Sequence, residues 1–159
     1  MATVRAEAPK KSTVSIHKIL VAVDLTEHSK STVSYAAQIA QCLSASVVLV
    51  HVFEPEALFE FPNEYSYQLV ESQRSDFEMR LVDLTETLHR LKVPCESAFL
   101  VGDPAERVGE LAREMGVDLI ITASHHPNFL ARLFNLDKAP QIMHRAPCPV
   151  LVYHEKNVQ

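Results

Sequence analysis

Residues 116–153, GVDLIITASHHPNFLARLFNLDKAPQIMHRAPCPVLVY, constrain the fold more than any other stretch of this chain. The apolar run at 119–122 reads as a strand buried on both faces. A small-residue corner follows at Ala123 and Ser124, then a polar and aromatic loop, a short amphipathic segment, and a second apolar run, Val150–Tyr153. Strand, loop, helix and strand together make the crossover unit of a parallel sheet. Ligands of such sheets sit beyond the carboxyl ends of the strands, so a site is expected within residues 123–138.

The chain before this unit repeats the pattern. Residues 1–15 are polar and aperiodic and read as a flexible tail. ILVAV at 19–23 is a buried strand that Asp24 ends, and Thr26 or Ser29 is placed to cap the helix that follows. Val33, Ala36, Ala37, Ala40 and Leu43 fall at helical spacing, and their small side chains allow close packing on a sheet. VVLVHVF at 47–53 is the second buried strand, and His51 within it reads as a hydrogen-bonded core histidine. Residues 54–67 are rich in Pro, Glu and aromatics and form either a lid packed on the sheet edge or an aromatic wall over a pocket or partner.

Residues 68–91 carry a long helix whose Phe77, Leu81, Leu84, Leu88 and Leu91 make one stripe. CESAFLV at 95–101 is a third strand. Gly102, Asp103, Pro104 and Glu106 then give a turn, an N-cap, a first-turn proline and a capping box. Val108, Leu111, Ala112 and Met115 form the next stripe, which Gly116 terminates. Five strand-like runs with helical patterns between most of them predict an α/β fold, an open five-stranded parallel sheet with helices on both faces.

The formal net charge of −5 argues against a nucleic-acid binder, whose affinity needs clustered Lys and Arg, and equally disfavours an anionic membrane surface. No apolar run approaches a membrane span, and the N-terminus lacks the apolar core of a secretory signal, so the expected compartment is the cytoplasm. Cys42, Cys95 and Cys148 stand alone in separate segments, which suits small buried hydrophobes in a reducing compartment. No nucleophile elbow, Walker loop or convincing carboxylate pair appears, and Ser124 beside His125 is a coincidence of neighbours, so no enzyme is expected. His125, His126 and His144 lack metal-ligand spacing, and no metal is expected.

DLIITASHH, nine residues (127–135), Leu136-Asp137 and the closing APCPVLVY together resemble the C-terminal half of the universal stress protein family. That family reads DLIVxGSHG, nine residues, Gly-Ser, then a short helix ending APCPVLVV. The resemblance extends over residues 16–154 and implies one Rossmann-like domain with strand order 3-2-1-4-5. It also implies a stress-response or regulatory module that is a homodimer through the Val150–Tyr153 edge strand and acts on a protein partner. An unpaired apolar edge would otherwise invite aggregation.

The family's nucleotide-binding members place three glycines and a serine around the phosphates. Here those positions are Ala123, His126, Leu136 and Asp137. Glycine lets the backbone approach a phosphate closely, and Leu136 does not. A carboxylate at Asp137 about 4 Å from a phosphate charge costs about 1 kcal/mol in water and several-fold more if desolvated. A protonated His126 or Lys138 could partly offset it. Asp24 matches the family's strand-end aspartate on the adenine or ribose side, and it reads equally as a turn or cap residue. Ala22 and Val52 match positions that line the adenine, and Val52 alone reads as core. The expectation is a non-catalytic module without tight ATP binding, in which a nucleoside half-site survives. A switch that binds ATP or AMP through an altered loop and a weak nucleotide hydrolase are the alternatives.

Overall fold

The computed structural model describes residues 14–55, 63–123 and 145–153. The expectations placed on the N-terminal tail, on Phe59 and Phe61, and on residues 124–144 lie outside them.

Five strands form one parallel sheet in the order β3-β2-β1-β4-β5. They are β1 (Lys18–Ala22), β2 (Ser46–Phe53), β3 (Cys95–Val101), β4 (Leu119–Ala123) and β5 (Val150–Tyr153). Three described helices connect them: α1 (Ser29–Leu43), α2 (Glu64–Arg90) and α3 (Pro104–Glu114). Ile19 of β1 lies opposite Val47 of β2 and Leu119 of β4, so the three central strands start in step.

Side chains alternate across the sheet and build two cores. Ile19, Val21, Leu49 and Ile121 face α1 and α2, where Val33, Ala36, Ala40, Leu81, Leu84 and Leu88 meet them. Leu20, Ala22, Val50 and Ile120 face α3 through Val108 and Ala112. β1 and β4 are buried on both faces, which is why their sequences read as unbroken apolar runs. Burying a side chain such as Leu20, Leu49 or Leu88 stabilises the fold by about 1.5–3 kcal/mol each.

Asp118 ties the chain's two halves together. Its Oδ2 accepts from the backbone N–H groups of His17 at 2.8 Å and Lys18 at 3.0 Å. Those bonds hold its carboxyl below the usual carboxylate range.

Several local expectations change. α2 begins four residues earlier than its apolar stripe suggests, at Glu64. Asn63 caps it, accepting from the Ser66 N–H at 2.9 Å, while the Ser66 hydroxyl accepts from the Asn63 N–H at 2.9 Å. Tyr65 and Tyr67 therefore stand on the first turn of a helix and are exposed, while Phe53 is core. Neither tyrosine packs as a lid. At α3, Asp103 does accept from the Glu106 N–H at 2.9 Å, but the Glu106 carboxylate lies 3.8 Å from Arg145 Nη1. The reciprocal half of the capping box is not found among the described residues. At α1, neither Thr26 nor Ser29 caps the helix: the N-cap is His28, without a side-chain capping bond, because Asp24 takes both hydroxyls. Cys42 is exposed rather than buried, since position 42 falls off the alanine stripe. Leu43, placed on that stripe at the helix end, is exposed as well.

Candidate functional site

The chain leaves β1 toward β2 on one side, and β4 packs on the other, so the strand order reverses between β1 and β4. Open sheets of this kind bind ligands in the crevice at that reversal. Ala22 closes β1 there and lies opposite Thr122 of β4 and Val50 of β2.

Asp24 sits just past this strand end. Its Oδ1 accepts from the Thr26 N–H at 3.0 Å, the Thr26 hydroxyl at 2.8 Å and the Ser29 hydroxyl at 2.9 Å. This is an aspartate turn, which fixes the loop between β1 and α1. Oδ1 shapes the loop, and Oδ2 has no hydrogen-bond partner among the described residues. Leu25 adopts φ +62° to make the turn and is held by Arg80, whose Nη1 donates to the Leu25 carbonyl at 3.2 Å. A left-handed leucine is strained backbone, which tends to cluster at functional sites.

Ala22, Val52 and Thr122 share the face that α3 covers. Ala22 and Val52 belong to that cluster directly, and Thr122 follows Ile120 by two positions. Ala123 alternates to the opposite face, pairs with Tyr153, and is buried. The structure thus brings Ala22, Val52 and Asp24 to one strand-end corner and turns the Ala123 methyl away from it. His126, Asp137 and Lys138 lie outside the described residues.

Two polar groups in the core escape the sequence-based assignment of functions. Thr122 is only 3 % exposed, and its Oγ1 has no hydrogen-bond partner among the described residues. A buried unmade hydrogen bond costs about 1–3 kcal/mol. Its signal in the sequence is a single hydroxyl at the end of LIIT. His51 is a core histidine, as its position implied: Nδ1–H donates to the Val23 carbonyl at 2.9 Å. Its Nε2 is buried with no hydrogen-bond partner among the described residues, between the rings of Phe77 and Phe99 at 5.0 and 5.6 Å. Burial pushes its pKa below the usual histidine value, more than the Val23 bond and the Asp24 charge raise it.

A cavity of about 460 Å³ opens elsewhere, between the β1–α1 loop and α2, lined by Thr26, Glu27, Lys30, Arg80, Asp83 and Arg90 among others. Its cations and carboxylates are mixed, and Thr26 in its wall is the residue that donates to Asp24. Burial raises the Cys95 thiol to about 11 and also raises the Cys148 thiol, so both resist forming a reactive thiolate. No cluster of metal-ligating side chains occurs among the described residues.

The model of the universal stress protein family matches residues 15–154. The chain belongs to the universal stress protein family. Universal stress protein A homolog 1 of Coxiella burnetii is 34% identical over 136 residues, covering 84% of this chain and 92% of its own. The structure of MJ0577 superposes with a TM-score of 0.73 at 23% identity, covering 91% of this chain and 99% of that one. MJ0577 is a universal stress protein of Methanocaldococcus jannaschii. A universal stress protein family structure from Arabidopsis thaliana with AMP bound superposes with a TM-score of 0.60 at 16% identity, covering 89% and 93% of the two chains. The two superpositions establish the universal stress protein fold. The strand order expected of the family is the order observed.

Proposed function

We propose that this chain is a non-catalytic stress-response module whose strand-end corner takes an adenine nucleoside or AMP without holding a triphosphate tightly. The observation that carries the proposal is the divided carboxylate of Asp24. Oδ1 is spent on Thr26 and Ser29, which leaves Oδ2 for a ligand hydroxyl at the reversal of the sheet. Ala22 and Val52 beside it are apolar, the character a flat ring needs. AMP bound to the Arabidopsis relative supports the same class of ligand. Against a triphosphate stand Leu136 and Asp137, where nucleotide-binding members carry Gly and Ser.

The module is proposed to act as a homodimer through β5. Val150 and Val152 of that strand are exposed, and its outer edge pairs with no strand among the described residues. A cytoplasmic setting fits the three free cysteines. No helix among the described residues is long and apolar enough to cross a membrane.

Native mass spectrometry of the purified protein, followed by calorimetric titration with adenosine, tests the proposal. A dimer mass and saturable adenosine binding are expected. The absence of heat with both adenosine and AMP overturns the ligand, and a monomer at micromolar concentration overturns the dimer.

A further inference from the structure

We propose that the cavity between the β1–α1 loop and α2 is a binding site for a phosphate-bearing small molecule. The site is separate from the nucleoside reading and does not rest on it. The cavity holds about 460 Å³, room for a small molecule. Its wall carries three cations, Lys30, Arg80 and Arg90, against two carboxylates, Glu27 and Asp83. One positive charge is therefore in excess there, in a chain whose formal net charge is −5. Leu25 and Leu84, both buried in the core, also line it.

The cations are positioned but not neutralised. Arg80, Asp83, Thr87 and Arg90 step by 3, 4 and 3 along α2 and so share one face of that helix. Arg80 Nη1 donates to the Leu25 carbonyl at 3.2 Å, and Arg90 Nη2 donates to the Thr87 hydroxyl at 3.3 Å. Each bond limits the freedom of a guanidinium and leaves its other N–H donors for a ligand. Two ion pairs within the wall are open to the chain and unused. Glu27 and Lys30 stand three positions apart, as do Arg80 and Asp83, a spacing that lets opposite charges meet on a helix. Neither pair forms among the described residues, and Glu27 lies instead 3.6 Å from His28 Nε2.

The donor set selects the ligand. Thr26 lines the cavity from the loop, Lys30 from α1, and Arg80, Thr87 and Arg90 from α2. Donors from three elements suit a tetrahedral phosphate, which carries about two negative charges and oxygens in every direction. A carboxylate has one charge and two oxygens in a single plane. Guanidinium forks and the ammonium point charge are both common phosphate ligands. Asp83 opposes any anion in the cavity, so its removal should strengthen binding.

The test is calorimetric titration of the full chain with pyrophosphate and with citrate, in wild type, Arg90→Gln, Lys30→Gln, Asp83→Asn and Arg74→Gln, with the melting curve of each free protein recorded alongside. Arg74 is an exposed cation of α2 outside the cavity and controls for overall charge. Wild type is expected to bind pyrophosphate saturably and citrate about tenfold more weakly. Arg90→Gln and Lys30→Gln each weaken pyrophosphate at least about fivefold, Asp83→Asn tightens it about threefold, and Arg74→Gln changes it less than about twofold. A structural role alone does not give Asp83→Asn the opposite sign. Absence of saturable pyrophosphate binding by wild type overturns the proposal and leaves the nucleoside reading standing. Losses in Arg74→Gln as large as in Arg90→Gln and Lys30→Gln, or no gain in Asp83→Asn, overturn it too. Citrate binding as tight as pyrophosphate overturns the phosphate class.

Discussion

Two groups of Thr26, its backbone N–H and its hydroxyl, donate to the same oxygen of Asp24, at 3.0 and 2.8 Å. Asp24 therefore has a structural role and a candidate ligand role on different oxygens, and substitutions separate them. Asp24→Asn keeps an oxygen to accept these bonds and removes the charge. It should retain most of the stability and lose nucleoside affinity about tenfold. Asp24→Ala removes the acceptor as well, and should cost a further 1–3 kcal/mol, roughly, in urea unfolding. Equal nucleoside affinity in wild type and Asp24→Asn would show that the second oxygen is not used.

The outer edge of β5 is the next point of attack. Val152 is exposed on this strand and offers apolar area to a twin. If the proposed dimer forms through β5, Val152→Glu converts it to a folded monomer in sedimentation velocity, with the circular dichroism spectrum unchanged. A persistent dimer would place the interface elsewhere.

His51 gives the protein an acid-sensitive core. Its folded pKa lies below the ordinary 6.5, so above that value both folded and unfolded chains hold it neutral. As the pH falls below 6.5 the unfolded chain takes a proton that the folded chain refuses, and stability is lost toward the folded-state pKa. Melting curves between about pH 7.5 and pH 5.5 should show a drop of a few degrees that His51→Phe reduces. Identical slopes in the two proteins would assign the acid sensitivity to other groups.

Leu136→Gly with Asp137→Ser restores the residues that nucleotide-binding relatives carry at these two positions. If steric block and like charge are what exclude a triphosphate, the double variant gains ATP affinity by at least about tenfold. A double variant no better than wild type would remove both arguments.

The strands were legible because both-face burial leaves an apolar run, unbroken at 19–23 and interrupted only by His51 at 47–53. The start of α3 was legible because Asp103 and Pro104 act locally, one through its side chain and one through its ring. The strand order was not legible in periodicity, because which strands pair depends on long-range contacts, and it came through the family resemblance. The start of α2 was missed because Asn63 and Ser66 precede the apolar stripe and look like loop residues. The capping reading of Thr26 and Ser29 failed because a serine or threonine hydroxyl can also donate, and Asp24 was close enough to accept. At the site, Asp24, Ala22 and Val52 could be named from family positions. The burial of the Thr122 hydroxyl, with no partner among the described residues, could not be named, because it shows only in the folded chain.

The most direct test of the account is a side-by-side titration of the wild-type protein with adenosine, AMP and Mg-ATP. A base-side site without a phosphate cradle predicts affinities for the three within a factor of about three of one another. Mg-ATP binding tenfold or more tighter than adenosine, roughly 1.4 kcal/mol, would show a working phosphate site and contradict the account.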